Sequence, residues 1–368
     1  MSFDATALAN PITRRLRAYD PGHDLPALRA RFGGQLAELG SNETVLGPSA
    51  RALAAIAESL PQVLRYPDPQ GGALKRALAE KWRVECAGIA LGNGSHELLM
   101  LLAQCFADPC TSVVHSEFGF AVFPLATAAA GATPICVKAL PGDHASAPYG
   151  HDLDALAAAV RADTRIVYLA NPNNPTGTWF NDAELDRFLG RVPTSCLVVV
   201  DEAYQEFVDA PGTSSAMRLL RLHPNLVVTR TFSKAYALAG LRIGYLLADA
   251  GVVGVLERLR ESFNVNSLAQ AAALAALGDA AHLQNVCTWT RQERNWLAGQ
   301  LSVRGYRALP SQANFLLVDL GRDAGGFERH LFDRGVIVRP MAGYGLGHAV
   351  RISLGTRSEN ERLLAALP

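Results

Sequence analysis

RTFSKAYALAGLRIGYLLAD, residues 230–249, decides how this chain is read. An apolar, β-branched run, NLVVTRTF (225–232), stops and Ser233-Lys234 follows at once. A lysine leaving the carboxyl end of a strand stands where open α/β sheets hold their ligands. Its amine condenses with aldehydes once burial or neighbouring cations lower its pKa. Thr231 and Ser233 flank it with hydroxyls, and Arg242 follows eight residues later, just ahead of Gly244. Lysine, hydroxyls and arginine together suit an aldehyde that also bears a phosphate, and pyridoxal 5′-phosphate is the common cofactor of that description.

Working outward, the same kind of run recurs: TSVVHS (111–116), TPICVKA (133–139), RIVYLA (165–170) and CLVVVDEA (196–203). Runs rich in β-branched residues and bounded by Pro, Gly, Asp or Asn read as strands buried on both faces. Helical patterns fall before and between them at 73–82, 95–107, 153–162 and 182–192. Strand, helix, strand in repetition predicts an α/β fold with a mostly parallel sheet covered by helices. Past residue 255 a helical stretch (252–304, broken near Asn264–Ser267) precedes separated strands at 315–320, 336–340 and 350–355, the pattern of a smaller α+β domain. A chain of 368 residues exceeds one hydrophobic core. The expected division is 1–45 as an N-terminal arm with part of the small domain, 46–255 as a large domain, and 256–368 as a C-terminal small domain.

Lys plus Arg and Asp plus Glu both number 34, so no field of one sign is available to hold nucleic acid or an anionic membrane. A phosphate-bearing ligand therefore needs a local site. The opening residues MSFDATALANPITRRLRAYDPG carry no basic start followed by an apolar run, and no stretch of about 18 apolar residues occurs, so a cytoplasmic chain without a membrane span is expected. The six cysteines (86, 105, 110, 136, 196, 287) form no CxxC pair and read as reduced, mostly buried thiols; no metal is expected.

Three further segments bear on the lysine. LVVVDEAYQEF (197–207) ends an apolar strand on Asp201, a carboxylate that needs a cationic partner there, such as a pyridinium nitrogen. Tyr204 lies three residues on, within reach of a ring hydroxyl. YLANPNNPTGTWF (168–180) forces a turn directly after a strand and presents Asn174 as a donor. LGNGSHELL (91–99) is a strand end, a Gly-rich turn and a helix N-terminus, whose free amides suit a phosphate.

The ordered set NPNNPTG (171–177), DEAY (201–204), SK with an arginine eight residues later, and RISLGT (351–356) resembles the fold-type I aminotransferases, and more closely the histidinol-phosphate aminotransferase family. The similarity covers almost the whole chain, including YDPG (19–22), GSNETVLGPS (40–49) and RYPDPQGGALKRALAEKW (65–82). It implies a fold-type I pyridoxal-phosphate enzyme, working as a homodimer with shared sites on a small-molecule amino donor and a 2-oxo acid. Lys234 would hold the cofactor as a Schiff base and move protons; Asp201 would pair with the ring nitrogen, and Asn174 and Tyr204 with its phenolic oxygen. Ser95, His96, Thr231, Ser233 and Arg242 would hold the phosphate, Tyr66 would reach the phosphate of the neighbouring subunit, and Phe120 would stack on the ring. Arg351 would take a carboxylate, with Arg339, Tyr19 and Asn42 also binding substrate. The family's donor is L-histidinol phosphate and its acceptor 2-oxoglutarate, in histidine biosynthesis.

The chain departs from the family pattern at Phe120 and Phe123, where tyrosine is frequent, at His96 in place of Asp, and at Thr44-Val45 in place of Asn-Pro. A broad or aromatic amino-acid aminotransferase, which the two phenylalanines would suit, stays open as an alternative. So does a lyase or decarboxylase on the same scaffold. A ligand-sensing regulator would require an added DNA-binding domain, for which no length remains.

Overall fold

The computed structural model of the chain describes residues 3–16 and 24–368. Twelve strands run through the described residues: β1 (Ala37–Leu39), β2 (Ile89–Gly92), β3 (Ser112–Ser116), β4 (Thr133–Val137), β5 (Thr164–Ala170), β6 (Leu197–Asp201), β7 (Leu226–Thr231), β8 (Gly244–Leu247), β9 (Arg307–Ala308), β10 (Phe315–Asp319), β11 (Val336–Pro340) and β12 (Ala349–Ser353). They make a seven-stranded sheet in the order β2-β8-β7-β6-β5-β3-β4 and a five-stranded sheet in the order β1-β11-β12-β10-β9.

The larger sheet is parallel from β7 through β4, and β8 runs antiparallel to both of its neighbours. Its central strands are apolar on both faces because both faces are covered. Val198, Val200, Val167, Leu169 and Val228 pack on one side with Leu74, Leu185 and Ala269. Val199, Val227, Ile166 and Tyr168 pack on the other with Leu98, Phe123 and Leu256. The expected double burial fails at β4, whose residues are exposed or half-buried throughout; as the last strand of the sheet it has a neighbour on one side alone. In the smaller sheet, β1 joins β11 in parallel register, and β10 and β12 pair antiparallel. Leu297, Leu301, Phe327, Leu331 and Leu363 close its core from the helices Ala280–Val303, Gly325–Phe332 and Arg357–Ala366.

All six cysteines are free, but the expectation of mostly buried thiols is wrong: Cys196 alone is buried, and Cys86, Cys110 and Cys136 are exposed. Cys86 and Cys136 lie in a short surface turn and on edge strand β4, and Cys110 in a turn between a helix and β3, where no second layer covers them. No helix among the described residues is long and apolar enough to cross a membrane.

One close approach links the sheet to the helix that begins at Gly94. A Cβ at Gly244 would stand 2.6 Å from the Ser95 amide nitrogen and 2.7 Å from the Arg230 carbonyl oxygen, both main-chain atoms that cannot swing aside. Gly244→Ala is therefore expected to cost about 2–3 kcal/mol of folding stability, as overpacking against backbone does. Denaturant titration checks it; an unchanged midpoint would mean that the helix shifts freely on the sheet.

Candidate functional site

The carboxyl ends of β5, β6 and β7 lie side by side and project their last side chains or following turns into one region. Asp201 closes β6, in register with Thr229 of β7. Its carboxylate is 3% exposed, and Thr229 Oγ1 donates to Oδ1 at 2.8 Å. Burial pushes the carboxyl up to about 7, while the Thr229 hydroxyl and the charges of Arg230 and Lys234 pull the other way. A carboxyl in that position is short of one cation. Thr229 was not singled out in the sequence, although it sits two residues before Thr231 on the same strand and so shares its face.

Lys234 leaves the end of β7 and its amine meets the chain just after β1, donating to the main-chain oxygens of Asn42 (3.2 Å) and Ser41 (3.5 Å) and lying 5.8 Å from the centre of the Tyr204 ring. The side chain is half-buried and ringed by protein, and burial, then Arg351, pull the amine down to about 8. Asp201 and Lys234 also act on each other's charge.

Tyr204 is buried, its ring edge-on to Phe315 with centroids 5.3 Å apart, and its hydroxyl accepts from Asn42 Nδ2 at 3.0 Å. Burial raises its pKa to about 12, so it is a neutral hydroxyl. Asn174, in the turn after β5, accepts from Arg351 Nη1 through Oδ1 at 2.5 Å. That bond fixes the amide so that its NH₂ end remains for a ligand. Arg351 in β12 stands opposite Arg339 in β11, and both donate to the Gly40 carbonyl, at 2.9 and 3.4 Å.

On the Lys234 side lies an anion cradle. The helix Gly94–Phe106 begins there with Ser95 buried in its first turn, its free amides and positive dipole end facing out. Gly94 has φ +75°, and a Cβ on it would stand 2.6 Å from Arg242 Nη2. Arg242 Nη1 donates to Ser233 Oγ at 3.4 Å, and Thr231 Oγ1 donates to Ser233 Oγ at 2.9 Å. The His96 side chain reaches the surface, and partial burial, then Arg242, hold its pKa below the ordinary value.

Not every expected residue falls in this region. Phe120 is half-buried, edge-on to Phe123 at 5.9 Å. Phe123 is fully buried and stacked on Tyr168 at 4.9 Å, so the expectation that it shapes the donor site is wrong; its ring fills the core. Tyr66 is 82% exposed and stacks on Phe263 at 4.7 Å, with no contact to Lys234 among those of the described residues. Tyr19 lies outside the described residues. Tyr344 was missed. Its hydroxyl accepts from the Ala121 amide at 3.3 Å and its ring lies close enough to Arg351 and Arg339 to feel both charges, a position set by the fold and unmarked in the sequence.

A family model described as aminotransferase class I and II matches residues 35–367. Histidinol-phosphate aminotransferase 2 of Pseudomonas aeruginosa is 46% identical, over 99% of this chain and 98% of that one. The chain belongs to the class I and II aminotransferases, within the histidinol-phosphate aminotransferase family. Another aminotransferase of that description, from Pseudomonas fluorescens, is 45% identical over 100% of this chain and 98% of its own. A crystal structure of the Sinorhizobium meliloti histidinol-phosphate aminotransferase, in complex with pyridoxal 5′-phosphate, superposes with a TM-score of 0.86 at 32% identity, covering 98% of this chain and 96% of that one. L-Threonine-O-3-phosphate decarboxylase of Porphyromonas gingivalis shares the fold at 23% identity (TM-score 0.77, covering 90% and 98%), so the fold alone does not choose transamination.

The buried carboxylate of this aminotransferase gives a signed expectation. Its folded pKa is raised from 3.8 to about 7, so between those values the folded protein binds more protons than the unfolded chain. Stability is then lost as pH rises through 7. Without cofactor, Asp201→Asn is expected to be more stable than wild type at pH 8, by on the order of 2 kcal/mol, and to lose that advantage near pH 4. Urea titrations at the two pH values check it; an equal difference at both would show the carboxyl is already ionised and paired.

Proposed function

We propose that this chain binds pyridoxal 5′-phosphate and transfers an amino group from L-histidinol phosphate to 2-oxoglutarate, as a cytoplasmic homodimer. The observation that carries the reading is the convergence on one sheet face of an amine held near 8, a buried carboxyl short of a cation, and an anion cradle built from a helix start, Ser233 and Arg242. These residues fit a phosphorylated pyridine aldehyde: Ser95, His96, Thr231, Ser233 and Arg242 for the phosphate, Asp201 for the ring nitrogen, and Asn174 and Tyr204 for the phenolic oxygen; Phe120 is assigned to the ring face by family resemblance alone. When bound, the cofactor supplies an aldehyde for amines and a protonated ring that draws electrons from the bond being broken.

The protein's own part is positioning and proton transfer. Asp201 keeps the ring nitrogen protonated. Lys234 Nζ, released when the donor amine takes its place, accepts the donor's α-proton and later gives a proton back; an amine near 8 does both close to neutral pH. Donor and oxo acid use the same site in turn, the ping-pong pattern. Arg351 forms a bidentate pair with the oxo acid's α-carboxylate, exchanging its Asn174 and Gly40 contacts for it. Arg339, beside it across β11 and β12, meets the distal anion, phosphate in the donor and carboxylate in the acceptor. Asn42 lines the same side through its main-chain oxygen, and Tyr19 is assigned to the distal end by family resemblance.

Pairing of two copies is supported by an exposed apolar band. Leu53, Leu60, Val63 and Leu64 follow one another along and after the helix Ala50–Ser59, beside the Tyr66–Phe263 stack. Patches of this kind mark association surfaces. Tyr66 is assigned to the partner's phosphate.

Steady-state rates with L-histidinol phosphate and with phenylalanine decide the donor. kcat/KM is expected to favour the phosphorylated donor by at least about 100-fold, the discrimination that follows when a site built for an anion is left unpaired. Equal values would establish the aromatic aminotransferase instead. Arg351→Ala should raise KM for 2-oxoglutarate about 100-fold, the loss of one charged bidentate pair, with cofactor retention unchanged. Arg242→Ala should instead shed cofactor on dialysis; retention as tight as wild type would refute the phosphate assignment.

A further inference from the structure

Three distant parts of the chain meet behind the lysine. Asn42, Tyr204 and Ser353 come from the segment after β1, the turn after β6 and the end of β12, and all are buried, Asn42 to 1% exposure. Their hydrogen bonds form a directed chain. The Asn42 main-chain N–H donates to Ser353 Oγ at 2.7 Å, and Ser353 Oγ donates its own hydrogen to Asn42 Oδ1 at 2.9 Å. With Oδ1 so engaged, the NH₂ end of the amide faces Tyr204 and donates to its hydroxyl at 3.0 Å. The two ends of an amide are told apart by such partners, and the Ser353 hydroxyl, accepting from the Asn42 N–H, gives its own hydrogen to Oδ1.

The consequence falls on the tyrosine hydrogen. A hydroxyl that accepts from Asn42 keeps its own hydrogen for another acceptor. Reversal of the amide would turn an oxygen towards Tyr204, and the hydroxyl would then donate backwards, away from the site. Asn42 has φ +56°, a left-handed conformation that asparagine tolerates better than most residues, and its carbonyl accepts from Lys234 Nζ and from Asn314 Nδ2 at 3.2 and 3.1 Å. The backbone pose that Ser353 holds is thus the one that meets the amine.

We propose that Ser353 is a positioning residue of the reaction: by fixing which end of the Asn42 amide faces Tyr204, it makes Tyr204 offer a hydrogen to the phenolic oxygen of the cofactor. This rests on the reading that Tyr204 faces that oxygen. A donor on the phenolic oxygen withdraws negative charge from it, and that charge is what favours a proton on the nearby nitrogen of Lys234. Ser353 therefore lowers the pH at which the cofactor-bound lysine nitrogen loses its proton. Arg351, Asp201 and Tyr344 act on Tyr204, and Arg351, Glu43, Arg242 and Asp201 on Lys234; none of them is altered by a change at 353.

The test is a pH titration of the visible absorbance of the holoenzyme, which reports that proton directly and does not depend on turnover. Tyr204→Phe is expected to move the transition towards alkaline pH by about one unit, a tenfold change in proton affinity. Ser353→Ala should move it the same way by at least about half as much, and Ser353→Thr, which keeps the hydroxyl, should leave it at the wild-type position. Asn42→Asp, whose carboxylate can accept but not donate, should reproduce the Tyr204→Phe shift and abolish any further effect of Ser353→Ala. Should Ser353→Ala not fold, Ser353→Cys, a weak donor, is expected to give an intermediate shift. A shift in Tyr204→Phe with none in Ser353→Ala or Ser353→Cys overturns the role of Ser353 alone. No shift in Tyr204→Phe overturns it together with the placement of Tyr204.

Discussion

A carboxylate buried at the end of a parallel strand has to be matched by positive charge, and Asp201 is matched within the protein by one hydroxyl and by distant cations. Most of what surrounds it follows from that. The strand must be parallel and central for its carboxyl end to open into a covered site, so β5, β6 and β7 are apolar on both faces and helices lie over each. Lys234 must come from the next strand end, because a lysine on the other face could not share a ring with Asp201. Arg230, one residue after Thr229 on β7, points the opposite way and is spent on Glu202 and Glu206 at 2.8 and 2.5 Å. The alternation of one strand thus sends one cation into structure and leaves the carboxylate to a ligand.

The large sheet was legible in the sequence where strands are long and doubly buried. The runs near 112, 165, 197 and 226 differ from the observed strands by a residue or two, and in the smaller sheet VIVRP at 336–340 is a strand of those bounds. What could not be read were β1, β8 and β9, of two to four residues, too short to show a period, and β2 was read by its end at 91–92 alone. β8 lay concealed in the lysine motif itself, and its antiparallel direction is set by the tight return through Arg242, at φ +54°. β4 and the exposed cysteines failed for another reason. β-branched composition reports a pleated surface, whereas burial depends on whether a second layer arrives, and β4 is at the margin of the sheet.

The site divides along similar lines. Lys234, Asp201 and Asn174 each follow a strand end, a position visible in one dimension. Thr229 required only the two-residue period of β7. Ser353 and Tyr344 required the smaller sheet to be laid against the larger one, since Ser353 lies 311 residues from its partner Asn42, and no spacing encodes such a contact. Phe123 shows the converse: its type and place suggested a substrate wall, yet the turn of the helix Val122–Ala129 puts it into the core against Tyr168, three positions from a half-buried Phe120.

The protein's own groups therefore leave the site poorly satisfied, in a particular way. Burial pushes Asp201 up to about 7 and Lys234 down to about 8, so both groups are drawn towards their uncharged forms near neutral pH although each acts on the other's charge. An ordinary ion pair would do the reverse, lowering the acid and raising the amine. That it does not happen means their mutual attraction is weaker than the desolvation each suffers, as expected when two buried charges are spaced apart and not in contact. A flat ring placed between them, cationic at one end and bonded to the amine at the other, would relieve both at once. Binding energy from such a cofactor is then partly the release of a cost that folding alone leaves in place, and the same pKa shifts that make these two groups costly to bury are those that suit a reversible proton carrier.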